Sequence, residues 1–340
     1  MSYRHHTRPA VSLWLFIMTG LIALMILVGG ATRLTDSGLS ITEWRPITGA
    51  IPPLSQADWE EALQLYRSTT EYQEQNRGMS MSEFQFIFWW EWGHRQLGRF
   101  LGLAFAVPLV FFWIRGDLSA RLKPRLLGLF FLGGLQGAIG WWMVASGLVD
   151  RLDVSQYRLA THLGMAFILL GATFWTALDA RYGAPPVRAG NHTRWFLVLW
   201  GLLFVQILMG ALVAGIDAGK IFNTWPGMNG QLIPDGYLAG LPFHQAIFES
   251  HAAVQLQHRW MAYIVTIAVG VTAFMIYREP RVALKPFMVI LPALVIAQVA
   301  LGIAALLAVA PLGLSLAHQA GAVVLFVAIG AATWTARRAV

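Results

Sequence analysis

The sequence predicts an all-α integral membrane protein, with eight transmembrane helices arranged as two parallel four-helix bundles related by pseudo-two-fold symmetry. Three observations carry this expectation. Of 340 residues, 57% are hydrophobic and only 12% charged, whereas a soluble domain carries about 25% charged residues. The apolar residues gather in runs long enough to cross a bilayer, which takes about 20 residues of helix. In such runs no water satisfies the backbone, so helix is the economical solution. Finally, the second half of the chain repeats the first.

The first expected span is Ser12–Ala31. It follows a short basic segment (Arg4, Arg8) and is too long for the apolar core of a signal peptide, so it reads as an uncleaved helix. The basic segment is also too short for an ordinary mitochondrial transit peptide, which points to a bacterial cytoplasmic membrane. The second and third spans are Glu91–Ile114 and Leu126–Ser146, the fourth and fifth Leu159–Leu178 and Trp195–Gly215. The sixth to eighth are Gln255–Tyr277, Pro286–Ala308 and Ser315–Ala336.

Loop charges orient these helices. Arg4 and Arg8, then Arg115, Arg121, Lys123 and Arg125, then Arg181, Arg188 and Arg194, occupy alternate connections. Arg278, Arg281 and Lys285, and finally Arg337 and Arg338, continue the pattern. The other connections are poor in Lys and Arg, and the longest carries Asp58, Glu60, Glu61, Glu71, Glu74 and Glu83. The positive-inside bias places both termini in the cytoplasm and the long loops, about 33–90 and 216–254, outside. The formal net charge of +7 therefore reflects topology, and no nucleic-acid partner is expected. The absence of cysteine excludes thiolate metal sites, iron–sulfur clusters and disulfides.

The repeat is exact in places. Gly29, Asp36, Gly38, Trp44 and Gly49 recur at the same spacing as Gly210, Asp217, Gly219, Trp225 and Gly230. Gln-x-x-x-Gly occurs at Gln136/Gly140, Gln206/Gly210 and Gln298/Gly302. The fourth span ends Gly171-Ala-Thr-Phe-Trp175-Thr and the eighth Gly330-Ala-Ala-Thr-Trp334-Thr. A four-span unit present twice keeps its orientation, so the halves, 1–185 and 186–340, should be related by an axis along the membrane normal. The Asp-x-Gly segments read as turns. Trp44 and Trp225 read as interfacial anchors, and the glutamines as helix–helix bonds.

Four of the nine histidines fall at the starts of the even-numbered spans: His94, His162, His258 and His318. All should lie at one depth near the outer surface. Intramembrane ionisable residues are rare and usually functional. Imidazole is a good axial ligand for haem iron, and facing helices can supply two of them. With no cysteine and few carboxylates at that depth, bis-histidine haem outranks zinc or a di-iron site. His244 and His251 read as loop residues, with His251 close enough in sequence to approach the second pair.

Around His94 the pattern is Glu91-x-x-His94-x-x-x-Gly98-x-x-x-Gly102 on one helical face. The glycines clear space for a macrocycle or for another helix. Glu91 lies one turn from an iron ligand, and Gln255 takes its place in the second copy. One site is thus expected to do chemistry and the other to carry electrons. The competing reading of Glu91 is an interfacial carboxylate paired with Arg95 or Arg99. Arg95 and Arg259, which directly follow histidines, suit haem propionates, or else snorkel to the interface.

These residues resemble the haem A synthases over nearly the whole chain. The most specific segment is Glu91–Gly102. Gly29-Gly-Ala-Thr-Arg33-Leu-Thr-Asp-Ser-Gly38, Thr161-His162-Leu-Gly164, Gln257-His258-Arg259 and Ala317-His318-Gln-Ala-Gly321 support it. The lack of cysteine resembles the alphaproteobacterial and mitochondrial branch. The resemblance implies oxidation of the C8 methyl of haem O to a formyl group, through hydroxylated intermediates, giving haem A for terminal oxidases. It implies that His94 and His162 hold substrate haem O and that His258 and His318 ligate a permanent haem B. Glu91 would then accept the methyl proton or stabilise positive charge, with partial desolvation expected to raise its pKa. Candidate partners are a haem O synthase, a membrane electron acceptor such as a quinone, and a second copy in a homo-oligomer. A di-haem cytochrome b and a transporter built from parallel repeats are the alternatives. The first usually places its haems at two depths, and the second its polar groups near the midplane.

Overall fold

The structure is a computed structural model that describes residues 9–149, 151–184 and 191–338. Arg4, Arg8, Arg188 and the expected division at 185/186 lie outside the described residues. The helices run α1 (Pro9–Leu34), α2 (Gln56–Arg67), α3 (Thr70–Glu74), α4 (Met81–Ile114), α5 (Leu122–Gly147) and α6 (Gln156–Tyr182). There follow α7 (Asn191–Gly215), α8 (Phe243–Glu249), α9 (His251–Arg278), α10 (Phe287–Leu307) and α11 (Leu312–Arg338). Eight of these are long and apolar enough to cross a membrane, and they match the eight predicted spans. Large apolar side chains such as Phe131, Ile267 and Val289 stand exposed on the flanks. That is the environment hydrocarbon provides, and it makes this a multi-pass membrane protein.

Helix contacts close two rings. In one, α1 packs on α4, α4 on α5, α5 on α6 and α6 on α1; in the other, α7 packs on α9, α9 on α10, α10 on α11 and α11 on α7. The rings meet where α6 lies on α7 and α11, and α1 on α11. Three joints tie them together. The Trp200 indole of α7 fills the space left by Gly171 of α6 and Gly330 of α11, where a Cβ would approach it to 3.0 Å in each case. At the basic end of the bundle, Asp179 of α6 accepts from Trp334 Nε1 of α11 (2.9 Å) and pairs with Arg125 of α5 (2.6 Å). At the opposite, long-loop end, Arg33 of α1 reaches Asp36 (2.7 Å), Asp153 (3.4 Å) and Asp217 of the second ring (3.5 Å).

The first long loop folds into a cap. Ser55 and Asp58 form a capping box that starts α2, and Ser80 and Glu83 form one that starts α4. Leu63, Tyr66 and Tyr72 pack on Phe84, Ile87 and Phe88 of α4. The helix that carries the second span begins before Glu91, at Met81: α4 is 34 residues long, about 50 Å, and its first turns project beyond a bilayer core of about 30 Å. Polar Ser82, Glu83 and Gln85 hide this extension from a hydropathy reading, while Phe84, Ile87 and Phe88 beside them pack on the cap. The sixth span likewise starts earlier than Gln255, at His251. Asp36 (φ 49°) and Asp217 (φ 52°) take the left-handed turn conformation at matching places.

Candidate functional site

The four histidines sit well inside their helices, not at the starts. His94 lies on α4 beyond the cap-packed turns, and His162, His258 and His318 lie a turn or more into α6, α9 and α11. Each imidazole rests against a glycine of a neighbouring helix. A Cβ on Gly29 (α1) would come to 2.9 Å from His94 Cε1, and one on Gly140 (α5) to 2.8 Å from His162 Cε1. The corresponding approaches are 3.1 Å from Gly210 (α7) to His258 and 2.8 Å from Gly302 (α10) to His318. Any larger residue would push the ring away, so these glycines are histidine seats.

The Gln-x-x-x-Gly motif acquires a specific meaning here. One turn before its glycine, each glutamine donates Nε2 to the carbonyl of the histidine that the glycine seats. The distances are 3.0 Å for Gln136 to His162, 3.1 Å for Gln206 to His258 and 2.8 Å for Gln298 to His318. In α1 the matching position is Met25, whose Cε lies against Gly98 instead. Gly102 is exposed, and a Cβ there would meet nothing within 4 Å.

The two pairs differ in how their rings are held. His318 Nδ1 faces the Gln298 carbonyl at 3.2 Å, and the Gln206 amide lies beside the His258 ring, 3.2 Å from Nδ1 and 3.4 Å from Nε2. His94 Nδ1 and His162 Nδ1 are buried without a partner. An Nδ1–H donated to a backbone carbonyl, as at His318, fixes ring orientation and leaves Nε2 for a metal.

The His258 and His318 ring centres are 6.5 Å apart at 78°. With metal–nitrogen bonds of about 2 Å and roughly 1 Å more to each ring centre, two axial imidazoles on one iron sit about 6 Å apart. The donor set and spacing therefore fit a haem iron. His94 and His162 lie within electrostatic range of one another. Among the described residues no three His, Asp or Glu side chains are placed to hold one metal ion, so imidazole pairs are what these residues offer. His244 (α8) and His251 (the first residue of α9) are exposed helical residues, not loop residues.

Glu91 is 2% exposed, and both its oxygens are engaged. Oε2 accepts from Ser40 Oγ (2.8 Å) and the Ile41 N–H (2.7 Å); Oε1 accepts from Arg95 Nε (3.0 Å) and Nη2 (2.5 Å). Arg95 also donates to the carbonyls of Ile41 (2.8 Å) and Glu43 (3.0 Å), which binds the long loop to α4. Arg259 repeats this, donating to the carbonyls of Phe222 (2.9 Å) and Thr224 (2.9 Å) and to Gln255 Oε1 (2.9 Å). Gln255 donates in turn to Ala218 O (2.8 Å). Arg99 does not pair with Glu91; it donates to the carbonyls of Pro46 and Arg45.

Glu71 of α3 is a buried carboxyl that sequence reasoning counted only as loop charge. Its Oε2 has no partner. Burial pushes its pKa up to about 8 against the pull of the Tyr66 hydroxyl, and the charges of Asp153, Asp36 and Glu91 add to the rise.

Comparison with known proteins agrees with this arrangement. A model of the COX15-CtaA family, described as cytochrome oxidase assembly protein, matches residues 12–329. A haem A synthase of Maricaulis maris is 67% identical over the full length of both chains. One of Parvibaculum lavamentivorans is 48% identical over 98% of this chain and 94% of its own. One of a Caulobacter species is 48% identical over 98% of this chain and 97% of its own. With four seated histidines, a duplicated four-span unit and full-length similarity in hand, the chain belongs to the cytochrome oxidase assembly protein family that includes the haem A synthases.

Proposed function

We propose that this chain makes haem A by oxidising the C8 methyl of haem O to a formyl group, for use in terminal oxidases. The N-terminal half (1–185) holds haem O between His94 and His162, and the C-terminal half (186–340) holds a permanent haem B between His258 and His318. The observation that carries this reading is the exchange of Glu91 for Gln255 in otherwise matching surroundings. The family and its relatives' names support the reaction.

Haem B held by the second pair supplies one-electron redox chemistry. The protein's part is positioning and charge. His94 and His162 fix the substrate iron, and with it the plane of the ring. Glu91 holds a fixed negative charge close by, with four donors on its two oxygens. A carboxylate so saturated supports the stabilisation of positive charge on the substrate over the acceptance of a proton. Arg95 Nη1 has a second hydrogen beyond its bond to Glu43 O, which suits a propionate. Both sites lie toward the long-loop end, on the outer side of a bacterial inner membrane with both termini inside. A haem O synthase supplies the substrate, a membrane acceptor takes the electrons, and a homo-oligomer is compatible with this arrangement.

The test is mass spectrometry of haems extracted from a host that makes no haem A, co-expressing this chain with a haem O synthase. A formyl-bearing haem, or its hydroxymethyl precursor, is expected. Unchanged haem O beside folded, haem B-loaded protein would turn the reading to an electron-transfer cytochrome.

A further inference from the structure

A second site lies away from the histidines. A cavity of about 630 Å³ opens between the two rings, walled by α5, α6, α7 and α11. On α5 it runs from Arg125 to Leu132, and on α6 from Trp175 to Phe167. At 1.5 Å per residue the lined stretches are about 10–12 Å long. The lining is apolar and aromatic apart from Arg125 and Thr176. It is roomy because of its glycines: a Cβ on Gly128 or Gly201 would meet nothing within 4 Å. In a bilayer such a slot takes an alkyl chain.

The rim selects what that chain is attached to. Each of the four walling helices carries arginine at its basic end: Arg125 on α5, Arg181 on α6, Arg194 on α7, and Arg337 and Arg338 on α11. Arg337 stacks over Trp175, itself a wall residue, at 5.7 Å. Among the described residues Asp179 pairs with Arg125 and Glu279 with Arg281 at this end, so the remaining arginines leave positive charge in excess. Basic pockets between membrane helices recognise anionic lipid headgroups.

We propose that this cavity binds an anionic phospholipid. One acyl chain lies along Gly128 and Gly201, and the phosphate is met by Arg125 and Arg337. A lipid held this way bridges the rings at the end opposite the haem sites.

Native mass spectrometry of the whole haem-loaded protein tests this, after exchange into nanodiscs of equal phosphatidylglycerol and phosphatidylcholine and gentle release. The wild type is expected to retain phosphatidylglycerol preferentially, with about fivefold lost per rim arginine neutralised. Gly201→Leu fills open space without a clash and is expected to abolish retention. Arg337→Gln is expected to keep retention but weaken headgroup preference. Arg125→Gln strips a partner from buried Asp179 and can unfold the protein, so the glycine variant carries the test. Equal retention by wild type and Gly201→Leu would overturn the proposal. So would equal retention of the two lipids, or recovery of a quinone in place of phospholipid.

Discussion

Arg95 and Arg259 perform the same task in the two halves, each lashing a long loop to its helix through two carbonyls and the side chain one turn earlier. That earlier side chain is a buried carboxylate in the first half and an amide in the second. The histidines diverge in the same sense. In the second half both Nδ1 atoms have neighbours and two glutamines bond the histidine carbonyls. In the first half both Nδ1 atoms are unpartnered, and Met25 stands where a glutamine would. The two helix rings thus offer similar frames, and the differences lie in charge and in how firmly the imidazoles are held. A pre-oriented pair suits a resident haem, and a looser pair beside a fixed charge suits a haem that arrives, reacts and leaves.

The comparison breaks most visibly at the arginines. Arg95→Ala leaves Glu91 buried and unpaired, a loss of roughly 3–5 kcal/mol. Arg259→Ala strands only neutral groups, at about 1–3 kcal/mol. Thermal unfolding in detergent should rank them in that order, and equal losses would mean that Glu91 is not the charge the structure makes it. Next is the exchanged pair. Glu91→Gln should cut haem A production about a hundredfold or more while both haem sites still load. Gln255→Glu should leave production close to wild type. Haem extraction and mass spectrometry read both.

Smaller effects separate the glutamines. Gln298→Leu frees the His318 carbonyl and should lower stability by about 1 kcal/mol. It should also broaden the spectrum of the resident haem, whereas Gln136→Leu should leave that spectrum alone. A pH-dependent effect lies in the cap. Glu71 has a folded pKa near 8, above its ordinary value. The folded state therefore holds a proton that the unfolded chain gives up, and stability falls as pH rises from about 4.5 to 8. Glu71→Gln should flatten that decline. A cap whose melting in the wild type is indifferent to pH across this range would contradict the buried, unpartnered carboxyl.

Much of this was legible in the sequence because membranes impose one-dimensional rules. Hydropathy and length gave the eight spans, and the spacing around Asp36 and Asp217 gave the repeat. Intramembrane histidines are conspicuous against apolar neighbours. The extension of α4 before Glu91 was not legible, because Ser82, Glu83 and Gln85 interrupt the apolar run and these turns pack on a cap that hydropathy does not see. The capping box of Ser80 and Glu83 was the available signal. The glutamines were visible as a motif and rightly expected to bond helices, but their target is a backbone carbonyl on another helix, which spacing does not encode. The glycine seats were hidden for the same reason: Gly29 and Gly302 look like ordinary small packing residues until the facing ring is known. Two of the four donors on Glu91 come from Ser40 and Ile41 of the long loop, so its saturation could not be read from its own helix.

The central claim is the division of labour between the pairs, and the haem content of purified variants tests it most directly. His258→Ala and His318→Ala should lose tightly bound haem B. His94→Ala and His162→Ala should keep haem B at wild-type stoichiometry yet yield no haem A when haem O is supplied. Loss of haem B from the His94 or His162 variants, with haem A still formed by the His258 variant, would assign the halves the other way round and contradict the account.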